Sequence, residues 1–297
     1  MKKFIIISDS CCDLDANLRK EYDIEYVPMH FSLDEKEYVA DLDWKEISAK
    51  EFYHSMEEGK RAKTSQVNLE DYKTRFKEYI SLGYDILSIS CSSALSSSYN
   101  NSLKAKEEIL KEYPNGKILC VDSLNSSYGL GYLCIIASKM RSSQKSIDEV
   151  YNWLEEYKLN VNQECSVDKL SYLKNAGRVS AASAFFGGLL NIKPIIISDA
   201  LGMNFAVEKV KGRGNSINRI VERTVEKLEE FEYPMLMIGH SDCVNDAIKL
   251  KEELLKKVNS GFDVNIGYIG PIVGASCGPG TIAVYYYGKK VMVNSGE

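Results

Sequence analysis

Histidine is scarce in this chain. Its 297 residues include only His30, His54 and His240, and none of them pairs with a cysteine at ligand spacing, which speaks against a zinc site. The eight cysteines, at 11, 12, 91, 120, 134, 165, 243 and 277, include no CxxC pair. Cys11 and Cys12 are adjacent and do not easily bridge each other, so reduced thiols, mostly buried as small apolar residues, are expected. There is no P-loop and no GxGxxG fingerprint, so neither a phosphate cradle nor a dinucleotide pocket is supported, and no cofactor is expected. There is no G-x-S-x-G elbow either. Long apolar runs are missing: Phe4–Ile7 stops at Ser8-Asp9, too short for an export core, and Tyr132–Ser138 falls far short of a membrane helix. The net charge of −5 offers no general attraction for nucleic acid or anionic membranes. These absences together lead to the expectation of a cytoplasmic protein with no stable membrane insertion and no nucleic-acid partner.

With 44% apolar and 27% charged residues, the composition is that of a globular protein of about two domains. Short apolar runs at Phe4–Ile7, Ile24–Pro28, Asp85–Cys91 and Lys117–Asp122 read as strands. Amphipathic stretches at Ala16–Tyr22, Asp43–Met56, Ser97–Tyr113 and Ser146–Tyr157 read as helices, the last with a capping box of Ser146 and Glu149. This alternation implies parallel βαβ units. A boundary is expected near Asn160, giving an N-terminal domain of residues 1–160 and a C-terminal domain of 161–297. In the second half, Gly177–Leu190 reads as a tightly packed helix, and Ile192–Ser198 with Phe205–Val210 as a hairpin. Helices are expected at Ser216–Phe231 and Asp242–Val258, and strands at Pro234–Gly239, Val264–Gly270, Thr281–Tyr287 and Lys290–Asn294. The fold class is therefore α/β, with a parallel sheet first and a mixed sheet second.

Four loops that follow strands of the first half are dense in hydroxyls: Ser8–Ser10, Thr64–Gln66, Ser92–Ser98 and Asp122–Ser127. In open parallel sheets, ligands gather at the carboxyl ends of the strands. The Ser92–Ser98 loop runs into a helix N-terminus, where free amides and the dipole suit an anion. Taken singly, such residues are usually caps and turns. Together they favour a small-anion site, and a carboxylate could be held by two hydroxyls and an amide.

These blocks, in this order, resemble the DegV family. Asp9-Ser10-Cys11-Cys12-Asp13-Leu14 looks like its opening motif, usually D-S-T-A-D-L, and Lys63-Thr64-Ser65-Gln66 matches K-T-S-Q. Ser92–Tyr99 resembles S-S-G-L-S-G-T-Y, and Asp122-Ser123 with Gly129-Leu130-Gly131 fits a further block. Leu170–Ser180 is similar to L-x-Y-L-K-K-G-G-R-I-S and Leu189–Ile195 to L-L-N-I-K-P-I, while Ile269-Gly270-Pro271 and Gly278-Pro279-Gly280 match the terminal block. The resemblance covers roughly residues 1–290. It implies a two-domain α/β protein that holds one long-chain fatty acid, such as palmitate, stearate or oleate, between its domains, with the acyl chain largely in the second. Carried over, Thr64 and Ser96 hydrogen-bond the carboxylate, and Ser65, Ser97 and Ser276 lie at the same site. Arg178 stands near the exposed carboxyl end, where it would serve the docking of a fatty acid kinase ATP-binding subunit or steady the phosphate. That partner phosphorylates the carboxyl, and the chain itself would be a non-catalytic carrier. Two positions depart from the pattern: Ser276 stands where the family often has His, and cannot titrate near neutrality; Ser97 stands where it has Gly.

Two other readings remain. The first is a small-acid hydrolase or acyltransferase built on His240-Ser241-Asp242 or on Cys277. Asp242 is better explained as a helix cap, His240 as the end of a strand, and Cys277 lacks an obvious base. The second is a lipid-responsive regulatory protein with no kinase partner.

Overall fold

Phe4–Asp9 (β1) and Asp85–Ser90 (β6) are buried at every position, the pattern of strands covered on both faces. In the computed structural model, which describes residues 3–180, 191–258 and 261–295, they form the centre of a four-stranded parallel sheet. Ile24–Val27 (β2) and Ile118–Asp122 (β7) flank them in the order β2-β1-β6-β7. Beside this sheet, His30–Leu33 (β3), Lys36–Val39 (β4) and Ala62–Ser65 (β5) make a small antiparallel sheet that the hydrophobic pattern does not announce. The second half supplies a seven-stranded mixed sheet. It is built from Val161–Ser166 (β8), Val179–Ser180 (β9), Ile192–Ser198 (β10), Asn204–Lys211 (β11), Met235–His240 (β12), Asp263–Tyr268 (β13) and Ile282–Tyr287 (β14), in the order β13-β12-β14-β8-β10-β11-β9. The parallel first sheet and mixed second sheet are those expected from the sequence.

Among the described residues, the α-helices of the first half are Ala16–Tyr22 (α1), Ala49–Glu57 (α2), Leu69–Ser81 (α3), Ser98–Glu112 (α4), Tyr128–Ser142 (α5) and Ile147–Tyr157 (α6); those of the second are Ser171–Ala176 (α7), Arg213–Lys227 (α8), Val244–Leu255 (α9) and Pro271–Cys277 (α10). The capping box on α6 is present. Four expectations need correction. The helix expected from Asp43 begins at Ala49, capped by Ser48. Before it, the Asp41 carboxylate takes the amides of Asp43 and Lys45, and Trp44 adopts a φ of 54°, which a helix excludes. No strand forms at Lys290–Asn294; the segment makes scattered bonds, Val291 N–H to Leu159 and Val293 carbonyl to the Ala200 amide. Asp242 is not a cap: it sits at φ 55° and accepts from the Tyr268 hydroxyl, while α9 starts at Val244. Of the stretch Gly177–Leu190, Gly177 ends α7 and Val179–Ser180 form β9, and residues 181–190 lie outside the described residues.

Helix α5 has no amphipathic stripe because it packs against both large sheets, touching β1 and β6 on one side and β8, β12 and β14 on the other. It also closes on the turn after β1. A Cβ added to Gly131 would stand 2.6 Å from the Cys12 carbonyl oxygen. Gly131→Ala is therefore expected to cost about 2 kcal/mol, read as a lower urea midpoint at unchanged slope. An unchanged midpoint would show that the helix can shift without penalty. Across the junction of the two halves, Tyr53 donates to the Ile269 carbonyl at 2.6 Å, Tyr132 to Tyr233 at 2.9 Å, and Asn125 to Val161 at 2.9 Å.

Candidate functional site

A cavity of about 270 Å³ opens where the carboxyl ends of β1 and β6 meet β5, β8, β10 and α10. Thr64, Ser65, Ser96, Ser97 and Ser276, all expected at the site, line it together with Arg178. A wider open cleft of about 640 Å³ adjoins it, and the two share Thr64, Arg178 and Ser276. Those three residues therefore mark the passage from the cavity to the outer cleft.

The two hydroxyls given the main role differ in setting. Thr64 is held in β5 opposite Phe31 of β3 and is partly exposed. Ser96 belongs to a chain of hydrogen bonds. The Val67 amide donates to Ser98 Oγ at 3.1 Å, and Ser98 Oγ lies 3.0 Å from Ser96 Oγ, which also receives the Ser98 amide at 3.3 Å. Either hydroxyl can donate in the Ser96–Ser98 bond; in the arrangement in which Ser98 donates, the Ser96 proton is left for a ligand. In that arrangement each link polarises the next, which strengthens Ser96 as a donor. Ser97 is the N-cap of α4 at φ −80°, with no cap bond from its side chain. A side chain in place of the family's glycine therefore costs no backbone strain there. Ser65 is engaged with the His30 carbonyl at 3.3 Å. Arg178 Nε donates to the Leu95 carbonyl at 3.2 Å and its Nη1 to Ala176, so it braces the serine loop as well as lining the passage.

The remaining hydroxyl loops are largely structural. Ser8 donates to Ile89, Ser10 accepts from the Met29 amide, and Ser123 donates to Asn125. Only Ser126 of the Asp122–Ser127 loop reaches the cavity. Sequence reasoning missed the other walls. Gln163, from β8, donates to Asn204 of β11 at 3.1 Å, and both line the cavity. Leu173, Ile196, Ile269 and Ile272 give it apolar surface. A buried Asn-Gln-Glu run within a strand was the one signal that β8 serves more than packing.

Two buried carboxylates sit beneath this floor. Asp9 accepts the Cys11 amide at 2.9 Å and the Cys91 amide at 2.8 Å. Asp13 accepts the Ser127 hydroxyl at 2.6 Å; its other oxygen faces the Gly270 amide without hydrogen-bond geometry. Burial, the largest cause, pushes Asp9 up to about 6 and Asp13 up to about 7 from 3.8. A carboxyl raised in the folded state binds protons that the unfolded chain releases. Its penalty is complete above about pH 7 and is relieved as pH falls toward 3.8. The protein is thus expected to melt higher at pH 5.5 than at pH 8, and Asp13→Asn to raise the melting temperature at pH 8, with a gain in stability on the order of 2 kcal/mol, while flattening that slope. A slope identical in wild type and variant would mean that the Asp13 carboxyl is not raised and stays charged across this range.

His240 ends β12, as expected, and is buried, with burial lowering its pKa; the neighbouring Asp242 carboxylate is turned to Tyr268. All eight cysteines are free, and burial pushes the Cys277 thiol up to about 11. Neither feature supplies the activated nucleophile of a hydrolase. Among the described residues, no helix is long and apolar enough to cross a membrane.

The family model described as "Uncharacterised protein, DegV family COG1307" matches residues 3–289. A DegV domain-containing protein of Clostridium perfringens is 38% identical over 97% of this chain and 98% of its own length. Among solved structures, a DegV lipid-binding protein from Thermotoga maritima superposes with a TM-score of 0.85 at 26% identity, covering 97% of this chain and 99% of that one. A second T. maritima protein, described as revealing a fatty-acid-binding function, gives 0.83 at 25% identity over 97% and 100%.

Proposed function

The chain belongs to the DegV family, and on that premise we propose that it binds one long-chain fatty acid between an N-terminal domain, residues 1–160, and a C-terminal domain, residues 161–297. The observation that carries this reading is the hydrogen-bond chain from Val67 through Ser98 to Ser96, which places the Ser96 hydroxyl at a cavity that Thr64 also lines. The carboxylate is held by Thr64 and Ser96, with Ser65, Ser97 and Ser276 around it. The acyl chain lies toward the apolar side chains of the second half. About fourteen methylenes at ~0.8 kcal/mol each give on the order of 11 kcal/mol before ordering costs, so the hydroxyls need only offset desolvation and fix orientation.

The chain acts as a carrier with no cofactor of its own, and presents the carboxyl through the outer cleft to a separate fatty acid kinase ATP-binding subunit that forms the acyl phosphate. Arg178, at the passage between cavity and cleft, serves that docking. The test is to load the chain with oleate, add such a subunit and ATP, and trap acyl phosphate with hydroxylamine. Product that requires both proteins and falls with Arg178→Ala supports the reading. Oleate that stays bound and is never phosphorylated leaves a lipid-responsive regulator.

A further inference from the structure

Among the described residues, no group of three or more histidine, cysteine, aspartate or glutamate side chains is placed to hold a metal. Thioether sulfur is also a ligand for soft ions, and one cluster contains it. Cys11 Sγ lies 3.7 Å from Met29 Sδ. The Cys91 side chain lines the same wall, and the Cys91 and Cys11 amides meet on one carboxylate, although the two residues are far apart in the chain. The carboxylate of Asp9 fixes this meeting, since each of its oxygens takes the amide of one of the two cysteines. Ser10 Oγ in turn accepts the Met29 amide at 2.7 Å, which anchors the third member to the same turn. All three side chains are nearly fully buried, yet all three line the cavity wall.

We propose that Cys11, Cys91 and Met29 form a soft-metal site that takes one copper(I) ion from the cavity side. Three sulfurs around one ion with bonds of roughly 2.3 Å stand roughly 4 Å apart, close to the separation seen between Cys11 and Met29. Thiolate and thioether sulfurs select copper(I), whereas zinc asks for four ligands of nitrogen, oxygen or thiolate type. Asp9 is not available as such a ligand, because both its oxygens are engaged by backbone amides. Copper(I) enters, the two thiol protons leave to solvent, and no oxidation state changes. Position 11 carries threonine in the family pattern, so the site belongs to this chain's own sequence.

The test is an anaerobic titration of the full chain with copper(I) in competition with bicinchoninate. Wild type is expected to withdraw one tight equivalent from the chelator. Cys11→Ser and Cys91→Ser are each expected to weaken capture at least about a hundredfold and Met29→Leu about tenfold, while Cys134→Ser, on α5 and away from the cavity wall, leaves it unchanged. Melting curves establish that the variants are folded. X-ray absorption on the wild-type complex, which needs no variant, is expected to show two or three sulfur neighbours and no nitrogen or oxygen. No withdrawal from the chelator, capture that survives loss of both Cys11 and Cys91, or a nitrogen- or oxygen-containing shell would each overturn the proposal.

Discussion

Replacing Thr64 and Ser96 together by alanine is expected to weaken oleate binding by about a hundredfold or more. In the proposed complex each hydroxyl donates to an ionised carboxylate, and such a bond is worth about 1.5–3 kcal/mol, so losing both is a change of roughly 3 kcal/mol at least. The acyl chain contributes as before, so the loss should be the same for palmitate as for oleate. Ser96→Ala alone should cost more than Ser97→Ala, because only Ser96 stands at the end of the chain from Val67 and Ser98. Isothermal titration or displacement of a fluorescent fatty acid measures these differences, with melting curves to show that the fold is kept. Equal affinity in the double variant and the wild type would remove the carboxylate from Thr64 and Ser96.

The largest effect on stability is expected away from the cavity. Glu164, in the interior of the seven-stranded sheet on β8, is fully buried between Arg223 Nε and Lys227 Nζ, each at 2.6 Å. The two cations lie one turn apart on α8, so this cluster fastens the helix to the sheet. Arg223→Met leaves a buried carboxylate with one partner and is expected to cost about 3 kcal/mol; adding Lys227→Met should raise the cost to about 5 kcal/mol. Glu164→Met should cost less, since Arg223 and Lys227 retain 14% and 29% exposure and can reach water. Replacing all three by methionine should recover most of the loss, because no charge is then stranded. Denaturant unfolding of the four variants checks the order. If the triple variant is as unstable as the double, the ion cluster stabilises by more than mutual compensation.

Much of this architecture was legible in the residues. The buried strands β1 and β6 and the capping box on α6 are local signals, and local signals survive in sequence. The hydroxyl loops were visible as loops, but not their division of labour. Ser8 and Ser10 spend their hydrogen bonds on Ile89 and Met29, whereas Ser96, at the cavity, is tied to Ser98, which Val67 from another loop engages. Helix α5 escaped notice because it is apolar all round, so periodicity had nothing to report. The helix misplaced at Asp43 shows the opposite failure: its pattern was helical, but the side chain of Asp41 captured the backbone amides first. The meeting of the Cys11 and Cys91 amides on Asp9, and of Gln163 with Asn204, depends on strand pairing between distant segments and leaves no mark on spacing.

Mass spectrometry of the purified chain, native and then denatured, tests the central claim most directly. The expected result is a native mass exceeding that of the polypeptide by one palmitate, stearate or oleate, lost on denaturation and recovered in the organic extract. A native mass equal to that of the bare chain, with no uptake when oleate is supplied, would contradict the lipid-carrier account and leave the cavity as a site for a different ligand.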